Sequence, residues 1–200
     1  MKYLKILGLA AVAAMALMAF AASASATTLE INGTAQNRAV TLTSTLKSGT
    51  SAILKDEFGT TTDTCTTSEV KGATASPFTG ATVGGTISSL TFSNCTHTTT
   101  VLANGSLSVE WASGTNGTVS SKGAEVTVQS TFFGASAICK TGEGTKLGTL
   151  TGTAAGDATM DINATIKCGI LGNSSWTGTY TVTSATSSTL PSGTSLGVVN

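Results

Sequence analysis

The sequence predicts an all-β protein, an antiparallel β-sandwich or barrel, and three observations predict it. From Thr159 to Cys168, the apolar Met160, Ile162, Ala164, Ile166 and Cys168 alternate with Thr159, Asp161, Asn163, Thr165 and Lys167. That period of two is the mark of a strand with one buried and one wet face. Charged residues are only 10% of the chain, while Thr, Val and Ile are abundant, a composition of strands rather than helices. Strand-like runs recur every 8 to 12 residues or so between Gly and Asn turns, a spacing typical of sandwiches and barrels. No useful helical period follows Phe20, and no fixed-length repeat points to a solenoid or propeller.

The chain divides into three parts. Residues 1–26 carry Lys2 and Lys5, an apolar run from Ile6 to Phe20 and the Ala24-Ser25-Ala26 site. These are the n-region, h-region and cleavage site of a bacterial Sec-type signal peptide, and the run is shorter than the roughly 20 residues that span a bilayer. Residues 27–183 form the β domain, and the Ser/Thr-rich residues 184–200 read as a flexible tail. The expected localisation is therefore secreted or cell envelope, with membrane contact only through the signal peptide during export. Beyond residue 26 there are eight basic and ten acidic side chains, a net charge of −2, and no basic patch to hold nucleic acid.

Within the domain, Leu29 and Ile31 open a strand ending at Asn32-Gly33, and Val40, Leu42 and Leu46 alternate with Thr41, Thr43 and Thr45 in its hairpin partner. Ala52–Lys55 is ambiguous and runs into a loop through Asp56-Glu57-Phe58-Gly59 and the threonines before Cys65. Ile87, Leu90 and Phe92 make a strand that stops at Asn94-Cys95. Asn104-Gly105, between Val101-Leu102-Ala103 and Ser106-Leu107, reads as a two-residue hairpin, because Asn-Gly supplies the positive φ of a type I′ turn. Asn116-Gly117 marks another turn. Val126 and Val128 precede Phe132-Phe133, a short strand approaches Cys139, and Leu147–Thr153 pairs with Thr159–Cys168. Trp176 to Val182 is the last strong strand, with Thr177, Thr179, Thr181 and Thr183 turned outward.

Cys65, Cys95, Cys139 and Cys168 are an even set in an exported chain, a disulfide framework rather than a metal site. Three pairings exist. Cys65 with Cys95 and Cys139 with Cys168 is favoured, because each pair closes one local segment, and each bridge is worth on the order of 3 to 4 kcal/mol by chain entropy.

The residues exclude several chemistries. His97 is the only histidine, so a Ser-His-Asp mechanism would have to run through it, and no Gly-x-Ser-x-Gly elbow supplies the serine. It reads as a solvated strand-end residue. Asp56, Glu57 and Asp63 could offer oxygens to calcium but lack the Asp-x-Asp-x-Asp-Gly pattern. Glu110 and Glu125 are the candidate pair for glycoside hydrolysis, yet both fall in the polar phase of their strands. Trp111, Trp176 and Tyr180 fall in the apolar phase and belong to the core. No catalytic residue, metal or cofactor is assigned. The rows Thr41, Thr43, Thr45 and Thr177, Thr179, Thr181, Thr183 form the candidate binding surface for a glycan or protein, although threonine also simply suits an exposed strand.

The stretch from Phe92-Ser93-Asn94-Cys95 to the Trp-x-Gly-x-Tyr strand at Trp176–Tyr180 contains the Gly-Thr-Leu-Thr-Gly-Thr run at 148–153. With its paired cysteines it resembles a group of secreted Thr/Gly-rich two-disulfide β proteins of actinobacteria that carry no established activity. The layout is also faintly similar to alkane-oxidation activator proteins. The resemblance implies export and a β fold. The expected function is a non-enzymatic structural, adhesive or binding module. The alternatives are a pilin-like fibre subunit self-associating through Thr27–Ile31 or Leu190–Asn200, and a small glycoside hydrolase.

Overall fold

A computed structural model describes residues 26–129, 135–153, 156–185 and 195–200. The expected signal peptide, Ala26 aside, lies outside the described residues, as do Phe132-Phe133 and residues 186–194 of the expected tail. The architecture is all-β, and of the two forms expected it is the barrel. The strands are β1 (Thr27–Ile31), β2 (Thr34–Ala35), β3 (Thr41–Leu46), β4 (Ala52–Lys55), β5 (Thr61–Thr74), β6 (Thr79–Gly80), β7 (Val83–Cys95) and β8 (Thr99–Ala103). They continue as β9 (Ser106–Ser113), β10 (Asn116–Lys122), β11 (Glu125–Gln129), β12 (Ser136–Lys140), β13 (Thr145–Thr151), β14 (Ala158–Lys167), β15 (Asn173–Ala185) and β16 (Leu196–Val199).

The barrel is an antiparallel meander closed on itself. β3 and β4 are two pieces of one stave, since both pair with β15 on one side and β5 on the other. From there the ladder runs β5, β7, β9, β10, β13, β14 and back to β15. Closure leaves no free edge strand in this wall, apart from the stretch of β7 beyond Thr86. β14 sits between β13 and β15 and shows the expected alternation: Ala158, Met160, Ile162, Ala164 and Ile166 are buried, while Asp161, Asn163, Thr165 and Lys167 are exposed. Burying each of the larger side chains is worth about 1.5–3 kcal/mol. Apolar-in and polar-out is the reverse of the pattern of membrane-spanning barrels.

Three staves bend midway. β8 leads into β9, β10 into β11, and β12 into β13, with breaks at Asn104-Gly105, Gly123-Ala124 and residues 141–144. Beyond the breaks, β8, β11 and β12 form their own three-stranded sheet, a flap over one end of the barrel. Only Lys140 pairs with Lys167 between β12 and β14, and among the described residues no ladder joins β8 to β7. The opposite end is closed by β1, paired with β16, β2 and β6. Leu29, Leu196 and Val198 of this plug are at most 4% exposed.

Both favoured disulfides are present, Cys65–Cys95 and Cys139–Cys168. The first joins residues directly opposed on β5 and β7. The second ties the flap to the end of β14 where the ladder runs out.

Several local expectations are corrected. Asn104-Gly105 is not a hairpin, because β8 pairs with β11 and β9 with β7 and β10. Gly105 keeps the positive φ of +72° but uses it to bend one through-going stave, and its Cα lies against the Gly123 bend with no room for a Cβ. Asn116-Gly117 lies inside β10, and the turn falls at Gly114-Thr115. β1 pairs with the short β2 through Asn32-Gly33 and not with β3. Ala52–Lys55 is a strand, and the threonine cluster before Cys65 opens the fourteen-residue β5, because barrel neighbours supply backbone partners that a loop would lack. The last residues are not a loose tail: β16 is held by the ladder to β1, with Val198 fully buried.

Candidate functional site

The inside of the barrel is incompletely filled. An apolar cavity of about 90 Å³ lies at the flap end, walled by Leu54, Leu90, Leu147, Ile162, Ile166 and Trp176 from the barrel and by Val126, Val128 and Cys139 from the flap. A second, also about 90 Å³, lies towards the plug between Leu42, Val83, Leu150, Val182, Leu196 and Val198. Each exceeds several-fold the roughly 10–15 Å³ that admits a water molecule. Both are lined by Val70, Ile87, Leu107 and Met160, so they meet at that belt. Small residues occupy several wall positions. Ala52 and Ala124 line the first cavity, and Gly72, Ala73, Gly84 and Gly85 the second.

Few polar groups face inward. Tyr180, fully buried on β15, donates from its phenol to Ser68 Oγ on β5, 3.1 Å away. Burial pushes its pKa up to about 12, partly offset by that hydrogen bond. Phe92 and Trp176 meet edge to face at the flap end, with ring centroids 6.1 Å apart, and both are half-buried.

Asp63 is the one buried carboxylate on the cavity wall, 3% exposed. Its Oδ1 accepts from the backbone N–H of Thr64 and of His97, and Oδ2 accepts from Thr99 Oγ1. It thereby fastens the β7–β8 turn to β5 at the top of the unpaired β7–β8 seam. At the bottom, Ile87 N–H donates to Gly105 O and Asn104 Nδ2 to Ser88 O. The sequence predicts a loop over the threonines before Cys65 and so does not reveal this clamp, which needs β5 to begin at Thr61.

His97 is half-buried rather than solvated. Its Nδ1 lies 3.9 Å from Asp63 Oδ1 and has no hydrogen-bond partner. Thr99 donates to the carboxylate and not to the imidazole. Asp63 lies beside Cys65 and Cys95, but both sulfurs are committed to each other and offer no thiolate to a metal.

No family model, curated protein or solved structure matches the chain. What the barrel can do is therefore read from its geometry.

Asp56 and Glu57 are separated from Asp63: Asp56 caps the β4–β5 turn by accepting from Phe58 N–H and Thr60 N–H. Glu110 faces Thr118 on β10, whereas Glu125 is seven residues further along the same bent stave and pairs with Lys140. That separation is roughly 20 Å, beyond the roughly 5–9.5 Å that a glycosidase pair needs. Tyr180 is in the core as expected, while Trp111 and Trp176 are only half-buried against it.

The two threonine rows are brought together. Thr45 faces Thr181 and Thr43 faces Thr183 across the β3–β15 ladder, Thr41 faces Ala185, and Thr177 and Thr179 continue along β15 beside Asn163 and Asp161. They share the outer wall, where Thr179 Oγ1 donates to Asp161 Oδ1 and Thr183 Oγ1 to Thr43 O. Among the described residues, the exposed large apolar side chains, Phe58, Leu102, Ile138 and Ile170, belong to the flap and the two turns at its end.

Proposed function

We propose that the protein is an exported, non-enzymatic binding module that holds a small apolar molecule inside its barrel. The observation that carries this reading is the pair of apolar cavities meeting at Val70, Ile87, Leu107 and Met160. Small-molecule sites are concave and mostly apolar, and barrels of about eight strands are just wide enough for one small ligand. Two disulfides are consistent with an extracellular location. Access runs through the flap, whose seams to β7 and β14 carry almost no ladder and whose outer end bears Phe58, Leu102, Ile138 and Ile170.

The test is titration of the oxidised protein with dodecanoic acid and with 1-aminoanthracene, followed by thermal unfolding and by the fluorescence of Trp176. Saturable binding of either compound with a raised Tm supports an internal site. If both leave Tm and fluorescence unchanged at their solubility limits, the reading is lost.

A second reading rests on the in-register threonines of β3 and β15, which favour a glycan or protein partner on the outer wall. Replacing Thr43, Thr45, Thr181 and Thr183 by Lys would abolish such binding and leave apolar uptake intact. The fibre alternative requires β16 to leave its own β1, so light scattering on a concentrated solution separates a monomer from a strand-exchanged polymer.

A further inference from the structure

The two cavities differ in what they can admit alone and together, and this bears on the class of ligand. It rests on the reading of the barrel interior as a binding site. A cavity on the order of 150 Å³ accommodates a benzene ring, and each chamber offers about 90 Å³. Each chamber alone is smaller than that benzene-sized cavity. The chambers lie in series: Trp176 lines the flap-end one and Val182 the plug-end one, and these residues on β15 are separated by roughly 15 Å along a barrel axis at ordinary strand tilt. The space is long and narrow.

Where the chambers meet, the wall includes Met160, an unbranched side chain with three rotatable bonds that adapts its shape to a neighbour. Beyond that belt the second chamber ends against Leu196 and Val198 of the plug. Narrow, apolar, closed at one end and gated by a flexible side chain, such a space suits a chain of methylenes.

We infer that the ligand is a linear, unbranched hydrocarbon chain lying along the barrel axis, its tail towards the plug, and that Met160 sets how much of the chain is accepted. Chains that fill only the flap-end chamber stop at the belt. Longer ones pass it and gain from the second chamber.

Calorimetric titration of the oxidised protein with hexanol, octanol and decanol, beside the compact cyclohexanol and 1-adamantanol, tests this. Affinity is expected to rise roughly fourfold per buried methylene along the linear series, and the rings are expected to bind more weakly than linear alcohols of equal carbon number. In Met160→Phe the gain from octanol to decanol should disappear. Leu150→Phe, which narrows only the plug-end chamber, should flatten the series in the same way and serves if the Met160 variant does not fold. Rings binding more tightly than linear alcohols would overturn the inference and leave the internal site standing. No binding of any alcohol would remove both. A rise with chain length unchanged in the folded variants would overturn the role of Met160 and of the second chamber.

Discussion

Tyr180 and Ser68, separated by 112 residues in sequence, meet inside the barrel with the phenol donating to the serine hydroxyl over 3.1 Å. The contact crosses from β15 to β5 and exists only because the sheet closes. Burial of the phenol, partly offset by that hydrogen bond, also sets a titration. The phenol ionises near 10 when exposed and at about 12 in the fold, so the folded state holds this proton more tightly than the unfolded one. The associated stability is fully present below pH 10 and is lost as pH rises through 12. Two units correspond to about 3 kcal/mol.

Tyr180 is the only tyrosine beyond Tyr3, so in the protein lacking residues 1–26 tyrosinate absorbance reports this group alone. We expect its midpoint near pH 12 in the folded protein and near 10 in denaturant. Tyr180→Phe should cost about 1 kcal/mol at pH 8 by stranding Ser68 and should lessen the loss of stability between pH 10 and 12. A folded-state midpoint at 10 would contradict the burial argument.

Cys139–Cys168 crosses the seam where a single residue pair joins flap to barrel. Replacing both cysteines by Ser should lower global stability by about 3 kcal/mol and raise amide exchange in β12 and β11 more than in β5 or β14. Removing Cys65–Cys95 instead, which joins β5 to the end of β7 within the barrel wall, should leave the flap amides protected. Equal exchange patterns in the two variants would show that the flap is held by something other than its disulfide.

Gly148 on β13 lies so close to β14 that a Cβ would collide with the backbone oxygen of Asp161. Backbone cannot give way as a side-chain tip can. Gly148→Ala should cost about 1–3 kcal/mol through overpacking, read as a lower urea midpoint, while Gly144→Ala in open space is strained only by its positive φ and should cost less. The reverse order would argue against tight β13–β14 contact.

Val198 is fully buried in the plug. Val198→Asp should place an unpaired charge against the apolar end of the barrel and cost about 3 kcal/mol or more, with loss of the plug-end chamber. Were the terminal strand only loosely attached, the change would be within about 0.5 kcal/mol, as at ordinary surface sites, and thermal unfolding decides between the two.

Much of the β architecture was legible along the chain. β14 could be read from Met160, Ile162, Ala164 and Ile166 because strand alternation is a local property with period two. The disulfides could be read because each pair closes a short segment. The candidate site was not legible. Ala52, Gly72, Gly84 and Gly85 are unremarked small residues in sequence, and a void is the difference between side-chain volumes brought together from staves far apart in the chain.

By itself the sequence determined the all-β class and the inward and outward phases of its clearest strands, and it favoured one of three cysteine pairings, because each depends on residues near one another in the chain. Only the tertiary structure decided that the sheet closes into a barrel, that Asn104-Gly105 bends a stave instead of turning a hairpin, and that β16 plugs one end. The physical reason is that a positive φ at Gly105 serves a bend and a hairpin equally well. Which one forms is settled by the hydrogen-bond partners that β7, β10 and β11 present to β8 and β9.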